Sequence, residues 1–376
     1  MNKLYFVAGE ASGDNHGAAL MEALRRRAPG MALLGRGGPK MKAIAGEAFR
    51  DWSEEAAVVG LWEVLKHYGY FRREFRRTLA EIEAADPDAV VLIDYPGFNL
   101  WLARTLRDRS LGRKIIYYIS PQVWAWNRAR IPQMARWLDL MLCIFPFEAD
   151  LYELSGLHTI FVGHPMVDNL ASKRIARPRE PNLIGLFPGS RTREVRKLMP
   201  VLLEVIRELR RARPDLRFEI AAASAPLAGM IREGLADVTD SLGELAITIG
   251  QAAETMQRSA AGVVASGTAT LEAAFFRLPF VLVYKVATMT YLVGKMLIRV
   301  PHLGMPNVLA RREIVPEFIQ RKARPEAIAA AVLRLLEDPA RRAEMLRDFD
   351  EVIGKLGPGG ASENAARVIL QTLAKS

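Results

Sequence analysis

The chain is poor in cysteine and histidine and lacks a long uninterrupted hydrophobic run. Its 376 residues include one cysteine, Cys143, and five histidines. A single cysteine excludes an internal disulfide and a cysteine-based zinc site, and the histidines form no pair at metal-ligand spacing. The sequence therefore predicts no metal and no other cofactor. Cys143 lies in the apolar run 140–145, so we expect it to be buried.

No segment has the continuous apolar length of a membrane-spanning helix. The most apolar long stretch, residues 280–300, is interrupted by Lys285, Lys295 and Arg299. Lys3 is followed by too few apolar residues before Glu10 to form a secretory leader. We therefore expect a cytoplasmic protein, or one that lies on a membrane without crossing it.

Basic residues outnumber acidic ones, 52 to 42, which gives a formal net charge of +10. Such a balance favours an acidic partner, either a phosphorylated small molecule or an anionic membrane surface. The basic residues are dispersed and no nucleic-acid-binding motif is present, so we expect no nucleic acid. A basic membrane- or nucleic-acid-binding module stays as an alternative, since charge alone would suffice for it.

Short strand-like apolar runs alternate with segments of helical periodicity along the chain. This alternation predicts an α/β protein with parallel sheets and helices on both faces. Residues 169–182 are polar and basic with two prolines and have the composition of a linker. We therefore predict two doubly wound domains, 1–168 and 183–355, with a last helix, 361–376, that packs back on the first. The predicted strands are 4–8, 32–35, 89–93, 114–119, 140–144, 159–162, 183–187, 217–222, 246–249, 262–265 and 280–284.

A glycine-rich turn with two carboxylates, Glu10 and Asp14, follows the first predicted strand in "VAGEASGDNHGAAL". Such turns lie at the carboxyl edge of a sheet, where open α/β sheets place their ligands. The spacing matches neither a dinucleotide fingerprint nor a phosphate loop. A plain turn, with its acids near a helix N-terminus, is the alternative.

A third carboxylate, Asp94, ends another predicted strand in "VVLIDYPGFNLWLA", where Pro96 and Gly97 break the chain. If the two domains face each other, this carboxylate is placed to deprotonate a hydroxyl nucleophile. The alternative is a loop aspartate that caps the next helix.

The second domain opens with a comparable turn in "LFPGSR". Gly189 and Ser190 offer backbone N–H groups and Arg191 offers a guanidinium, a combination suited to a diphosphate. The alternative is a surface turn with solvated arginines. Pro200 predicts the first turn of the following helix, which would run to about Arg213.

A small-residue turn in "ASGTATLEAAFF" is the second candidate anion site of that domain. Ser266, Gly267 and Thr268 are predicted to cap a helix whose N-terminus attracts anions. Glu272, one turn later, can accept hydrogen bonds from a ribose diol. An ordinary capped helix explains the same residues.

Two further segments carry unusual side chains. In "SPQVWAWNRAR", Trp124 and Trp126 beside Arg128 and Arg130 would suit a sugar or a phosphate, or would be core aromatics next to a basic surface. The other segment is strongly apolar and is followed by a basic flank, as in an interfacial helix or an acyl groove, although a buried helix fits as well. Its apolar residues are Val58, Val59, Leu61, Trp62, Val64 and Leu65.

Six segments together resemble the lipid-A-disaccharide synthase family in order and spacing over nearly the whole chain: "VAGEASGD", "SPQVWAW", "GHPMVD", "LFPGSR", "ASGTATLE" and "PNVLARREIVPEFIQ". The resemblance implies an inverting glycosyltransferase of the GT-B architecture, acting without a metal, with its two domains facing across a cleft. It implies UDP-2,3-diacylglucosamine as donor and 2,3-diacylglucosamine 1-phosphate as acceptor. The products would be the β-1,6 disaccharide 1-phosphate and UDP, made on the inner face of the bacterial inner membrane.

The resemblance also implies roles for particular residues. Asp94 matches the family's essential aspartate and Arg191 its essential arginine. The nucleotide segment would contain Ser266, Gly267, Thr268 and Glu272, with Asn307 close by. Glu10 and Asp14 would orient acceptor hydroxyls, or one of them would be the base instead of Asp94.

The chain departs from the family pattern at two places. Gly97 stands where an acidic residue is common, which removes a second carboxylate from the acceptor side. The chain also reads Arg36-Gly37-Gly38-Pro39 where the family commonly has Ala-Gly-Pro. A UDP-sugar epimerase or a peptidoglycan-type glycosyltransferase of the same architecture remains the enzyme alternative, and a homodimer is allowed.

Overall fold

The computed structural model describes residues 2–53, 68–109, 112–235, 245–287, 291 and 300–374. The chain forms two compact units. Unit 1 comprises Met1–Pro165 and Leu356–Ser376, and unit 2 comprises Met166–Lys355. Each unit is built around one parallel sheet, as the alternation of strand-like and helical segments predicts.

In its described residues, unit 1 contains a seven-stranded parallel sheet of order β3-β2-β1-β4-β5-β6-β7. The order reverses between the adjacent strands β1 and β4, which is the switch point where such sheets bind ligands. The strands are β1 (Lys3–Ala8), β2 (Ala32–Gly37), β3 (Phe49–Asp51), β4 (Ala89–Ile93), β5 (Lys114–Tyr118), β6 (Leu140–Cys143) and β7 (Thr159–Phe161). The α-helices before the unit boundary are α1 (Ala11–Arg27), α2 (Pro39–Ala45), α3 (Tyr68–Ala85), α4 (Pro96–Asp108), α5 (Val123–Trp126), α6 (Ile131–Trp137) and α7 (Pro146–Glu153), with a 3₁₀ turn at Arg128–Arg130.

Unit 2 repeats this plan with six described strands in the order β10-β9-β8-β11-β12-β13, all parallel. Its switch point lies between β8 and β11. The strands are β8 (Glu180–Phe187), β9 (Arg217–Ala222), β10 (Leu245–Ile249), β11 (Ser259–Ala265), β12 (Phe280–Tyr284) and β13 (Glu317–Ile319). The helices from the boundary onward are α8 (Pro165–Ala171), α9 (Thr192–Ala212), α10 (Ala225–Leu235), α11 (Ala252–Arg258), α12 (Ala269–Phe275), α13 (Met305–Ala310), α14 (Pro325–Glu337) and α15 (Pro339–Gly354), with a 3₁₀ turn at Gln320–Lys322.

The last helix, α16 (Ala361–Ala374), belongs to unit 1 and packs on α1. Its Glu363 accepts hydrogen bonds from Arg26 at 2.6 Å and from Arg27 at 2.9 Å. Both arginines lie in the last turn of α1. The chain therefore returns to its starting unit after completing unit 2.

Buried charge fixes helix α3 to the unit 1 sheet. Arg36 on β2 is fully buried and donates to Glu74 at 3.0 Å and to Glu81 at 2.8 Å. Its guanidinium also lies over the Trp52 ring, 5.4 Å from the centroid. Paired and stacked in this way, the buried guanidinium has partners for its charge within unit 1.

Two sequence predictions differ from the structure. Pro200 was predicted to start a helix, but it lies inside α9, which begins eight residues earlier at Thr192. Pro200 faces solvent, where water can satisfy the carbonyl that loses its helical partner. The predicted linker 169–182 overlaps the start of β8 at Glu180. Pro181 and Asn182 are uncommon in strands, so the apolar pattern of β8 is recognisable only from Leu183 onward.

Cys143 is buried, as predicted. Among the described residues, no helix is both long and apolar enough to cross a bilayer.

Candidate active site

The ligand-binding edge of unit 1 is built on a contact between backbone and ring. Gly9 directly follows β1, and the Tyr95 ring, directly beyond β4, lies against it. A Cβ atom at Gly9 would lie 2.4 Å from Cδ1 of Tyr95. Only glycine permits this approach, which accounts for one of the glycines in the first turn.

The backbone of Asp94 and Tyr95 is held in a strained conformation. Their φ angles are +47° and +50°, in the left-handed region. The N–H of Asp94 donates to the carbonyl of Tyr118 at 3.0 Å, and its own carbonyl accepts from Asn99 Nδ2 at 2.7 Å and from the Tyr117 hydroxyl at 2.5 Å. Such strain persists only where surrounding contacts enforce it, and it is common at functional sites.

The carboxyl groups of Glu10 and Asp94 and the phenol of Tyr95 interact electrostatically at this edge of the sheet. Burial raises the pKa of Asp94, Glu10 raises it further, and the Tyr95 N–H opposes both effects. Burial and Glu10 also raise the pKa of Tyr95 to about 12. Glu10 itself is exposed. A half-buried carboxyl beside a solvated one is an arrangement that divides proton transfer and orientation between two acids.

Asp14 does not join this cluster. It is only 3% exposed, and its carboxylate caps helix α2. Its Oδ1 accepts from the N–H groups of Gly38 at 3.1 Å and Met41 at 2.9 Å, and its Oδ2 from Lys40 at 3.0 Å. These are the N–H groups that a helix leaves unpaired at its start. In this geometry the Asp14 carboxylate is engaged by three backbone N–H groups, and its catalytic role stays a prediction.

The corresponding edge of unit 2 carries an exposed arginine. Gly189 follows β8 with φ +103°, and a Cβ atom there would meet Glu194 Oε2 at 2.8 Å. The Arg191 side chain is 81% exposed and donates to Glu194 Oε1 at 2.8 Å. Burial raises the pKa of Tyr284 at the end of β12, with Glu194 raising it and Arg191 lowering it. Arg191 therefore presents its charge beside the ends of β8 and β12.

The turn after β11 differs in detail from its prediction. Ser266 donates its N–H to Val283 at 3.1 Å, and Gly267 has φ +142°. Thr268 occupies the N-cap position of α12 but makes no side-chain cap. Thr270 instead donates its hydroxyl to the carbonyl of Gly267 at 2.7 Å. The hydroxyl of Thr268 therefore does not cap the helix.

Glu272 lies half-buried within the first turn of α12. Burial raises the pKa of its carboxyl, and Lys173 acts in the opposite direction. Ser266 precedes this helix at the switch point of the sheet, so Glu272 stands one turn behind the ligand-binding edge. That placement is compatible with a carboxylate that accepts hydrogen bonds from a diol.

Asn307, which the resemblance places close to the nucleotide segment, is bonded to its own neighbours in the structure. It is fully buried and all its bonding capacity is used. Its Nδ2 donates to Val315 O and to Glu317 Oε1, both at 2.8 Å. Its Oδ1 accepts from the N–H groups of Ile314 and Val315 at 2.8 and 2.9 Å. Asn307 therefore fixes the chain around Val315 and Glu317, and its role toward the nucleotide stays a prediction.

Glu317 is a structural residue that the sequence analysis missed. Its carboxylate accepts from the N–H groups of Leu303 at 3.0 Å and Gly304 at 2.8 Å, next to the amide of Asn307. The sequence feature that could have drawn attention to Glu317 is its position in "PEFIQ", within a segment that resembles the family. The apolar residues at 58–65 lie outside the described residues.

Comparison with known proteins agrees with this architecture. Residues 4–368 match the family model of lipid-A-disaccharide synthetase. A lipid-A-disaccharide synthase from Geobacter sulfurreducens is 42% identical and aligns with 100% of this chain and 98% of its own length. The enzyme of the same name from Myxococcus xanthus is 39% identical, with 99% and 97% covered.

Solved structures share the fold at low sequence identity. A UDP-GlcNAc 2-epimerase from Neisseria meningitidis superposes with a TM-score of 0.60 at 12% identity, covering 100% of both chains. The calicheamicin glycosyltransferase CalG4 gives a TM-score of 0.59 at 16% identity, covering 100% of this chain and 99% of that one. These likenesses establish two α/β units of the GT-B type. The sequence matches go further: the chain belongs to the lipid-A-disaccharide synthase family.

Proposed function

We propose that this protein synthesises the lipid A disaccharide. It transfers 2,3-diacylglucosamine from UDP-2,3-diacylglucosamine to the 6-hydroxyl of 2,3-diacylglucosamine 1-phosphate, with inversion at the anomeric carbon, and releases UDP. The observation that carries the proposal is full-length family membership at 42% identity. Two features agree with it: acidic side chains lie at the switch point of the unit 1 sheet, and an exposed arginine lies at the switch point of the unit 2 sheet.

Asp94 is the proposed general base. The acceptor 6-hydroxyl attacks the anomeric carbon, its proton passes to the Asp94 carboxylate, and the bond between the anomeric carbon and the diphosphate oxygen breaks. The raised pKa of Asp94 makes its carboxylate a better proton acceptor than an ordinary aspartate. Glu10, exposed beside it, is proposed to orient acceptor hydroxyls. Because Asp14 caps α2, we leave it out of the reacting set.

The electron pair of the breaking bond leaves with UDP. Arg191 is the proposed partner for the charge that develops on the diphosphate, because its guanidinium is exposed at the carboxyl edge of the sheet. Backbone N–H groups at Gly189 and Ser190, and at Ser266, Gly267 and Thr268, would add fixed dipoles. Glu272 would accept from the ribose hydroxyls. Asn307 would act indirectly, by holding Glu317 and the chain around it.

We also propose that the protein works on the inner face of the bacterial inner membrane, attached by the apolar residues of 58–65 and the basic flank after them. This rests on the sequence of that segment, which joins six large apolar side chains to several arginines. Substrates with two acyl chains per sugar would be presented at such a surface.

The direct test is incubation with the two purified lipid substrates, followed by mass spectrometry of the lipid and measurement of free UDP. We expect the disaccharide 1-phosphate and UDP in equal amounts. UDP without disaccharide, or an epimerised donor without any need for acceptor, would overturn the proposal. The second result would favour an epimerase.

A further inference from the structure

We propose that the turn after β5 binds the phosphate of the acceptor sugar, a proposal that rests on the function proposed above. The surface consists of Trp126, Arg128 and Arg130, and we call it the Trp–Arg surface. Its ligand is a phosphomonoester attached to a hexosamine. These side chains stand out in the sequence, and the roles proposed for Asp94 and Arg191 do not involve them.

The Trp–Arg surface follows the strand next to Asp94. Strands β4 and β5 pair in parallel, and the carbonyl of Tyr118, the last residue of β5, accepts the N–H of Asp94 at 3.0 Å. The chain then turns sharply at Ile119, whose φ is +64°. The turn therefore leaves the sheet at the edge that carries the proposed base, as an acceptor-binding element must.

The buried carboxylate of Glu148 stabilises this turn through hydrogen bonds. The indole N–H of Trp124 donates to Glu148 Oε1 at 2.9 Å, and the N–H of Phe145 donates to Glu148 Oε2 at 3.1 Å. The Tyr152 hydroxyl donates to the carbonyl of Pro121 at 2.8 Å. Trp124, Glu148 and Tyr152 are all buried. A turn fixed by polar bonds in the core loses little conformational freedom when a ligand binds its outer side.

The outer side of the turn combines an aromatic face with two cations. Trp126 is 41% exposed, and the Arg130 guanidinium lies 5.5 Å from its ring centroid. Arg128 donates its Nε to the carbonyl of Trp124 at 3.0 Å, which orients the guanidinium. An aromatic face suits the apolar side of a sugar ring, and guanidinium groups suit phosphate oxygens.

Among the described residues, the two arginines of this surface have no carboxylate partner. Within the described part of the chain, neither Arg128 nor Arg130 has a carboxylate at ion-pair distance, whereas Arg107 and Arg113 of the same unit pair with Asp139 and Asp86. Two unneutralised cations beside an exposed indole match a dianionic phosphate on a sugar. We assign the acceptor phosphate, and not the donor diphosphate, to the Trp–Arg surface, because Arg191 in unit 2 is already the proposed partner of the diphosphate.

The test compares a double variant, Arg128→Gln with Arg130→Gln, with a control that removes the same charge nearby, Arg104→Gln with Arg136→Gln. Arg104 and Arg136 are exposed on α4 and α6 of the same unit. KM is measured in detergent micelles for the acceptor 1-phosphate and for the same acceptor without phosphate. We expect KM for the phosphorylated acceptor to rise roughly 10-fold or more in the double variant, as for lost charge-assisted hydrogen bonds. KM for the other acceptor, kcat and UDP affinity should change little, and the control should resemble wild type.

A second readout does not need turnover. Glucosamine 1-phosphate is titrated while tryptophan fluorescence is followed, and the response should be lost in the arginine double variant and in Trp126→Leu. A response in wild type without disaccharide formation would support the surface while the proposed function fails.

Three results would contradict the proposal that the Trp–Arg surface binds the acceptor phosphate. One is an equal rise of KM for both acceptors, and another is no rise at all. The third is a defect seen only on anionic vesicles and not in micelles, which would mark the arginines as contacts for lipid headgroups.

Discussion

The Tyr95 ring packs against Gly9 so closely that a Cβ atom on Gly9 would lie 2.4 Å from the ring. Through this contact the turn after β1 supports the strained residues after β4. Asp94 and Tyr95 are consecutive residues with positive φ, so we expect a displaced Tyr95 ring to displace the proposed base as well.

Gly9→Ala is therefore expected to lower kcat about 10- to 100-fold, since small displacements of reacting groups have effects of this size. The matched control is Gly97→Ala, because the space around a Cβ at Gly97 is empty to 4 Å. That variant should stay within about 3-fold of wild type, in line with the mild effect of substitutions at open surface sites. Urea unfolding of both variants separates loss of activity from loss of fold. Full activity in Gly9→Ala would show that the Tyr95 position does not matter to the reaction.

The pH dependence of turnover should report the Asp94–Glu10 pair. Burial and Glu10 raise the pKa of Asp94, so the proposed base loses its proton only above the ordinary aspartate range, and kcat should fall as pH drops through that raised pKa. Glu10→Gln removes one of the raising influences. Its acidic limb should therefore move to lower pH, whatever the height of the plateau, as measured by kcat between about pH 4 and 8. If the acidic limb of the kcat profile does not shift in Glu10→Gln, Glu10 does not raise the pKa of the proposed base.

Arg191→Ala should reduce kcat by roughly 30- to 1000-fold, which corresponds to about 2–4 kcal/mol of lost transition-state stabilisation. The free energy of unfolding should change by less than about 1 kcal/mol, because the ion pair with Glu194 is exposed. Arg211→Ala is the control, since Arg211 is also exposed on α9 and also pairs with a glutamate three residues away. Steady-state kinetics and UDP binding on both variants decide the matter. Equal activity in the two would remove Arg191 from the site.

Most of the fold was predictable because parallel strands buried on both faces leave continuous apolar runs. The predicted bounds of β4, β9 and β12 agree with the structure. The strands that went unpredicted, Phe49–Asp51 and Glu317–Ile319, are three-residue strands at the edges of their sheets. Their sequences, Phe-Arg-Asp and Glu-Phe-Ile, contain too few apolar residues to stand out from a loop, whereas the equally short edge strand β7 continues into the apolar Val162.

The positions of the candidate site residues were predictable where a residue lies at the end of a strand, and their hydrogen-bond partners were not predictable where these lie elsewhere in the chain. Asp94 and Arg191 lie at switch points that the order of strands defines. Asp14 and Asn307 looked equally available from sequence, but their partners are backbone groups 24 and 8 residues away. Only the folded chain shows that these polar atoms are already engaged.

Membrane attachment is expected to depend on residues 58–65. Each apolar side chain inserted at the interface contributes about 1 kcal/mol or more, and each nearby basic residue about 1 kcal/mol on an anionic surface. Replacing Val58, Leu61, Trp62 and Leu65 with serine should move the protein from sedimenting vesicles to the supernatant and raise KM for vesicle-bound acceptor.

The control for that experiment replaces exposed apolar residues that lie singly on the described surface, Leu154, Ile175 and Ile249, with serine. This variant should still sediment with vesicles. If the first variant unfolds, as judged by circular dichroism, the apolar segment is part of the core. If it stays folded and still sediments, attachment lies elsewhere in the chain.

Asp14→Asn should separate structure from catalysis within the first turn. Asparagine keeps one oxygen for the N–H groups of Gly38 and Met41, but its amide NH₂ would face the N–H of Lys40, which then loses its acceptor. Losing this bond and the negative charge at the start of α2 should cost about 1–2 kcal/mol in the free energy of unfolding. The folded fraction should keep nearly full kcat at a temperature well below its melting point. Asp94→Asn should behave in the opposite way, with stability nearly unchanged and kcat lowered roughly 100-fold or more. Urea unfolding curves and kcat, measured on both variants under one set of conditions, test the assignment, and Asp14 returns to the reacting groups if its variant is stable but inactive.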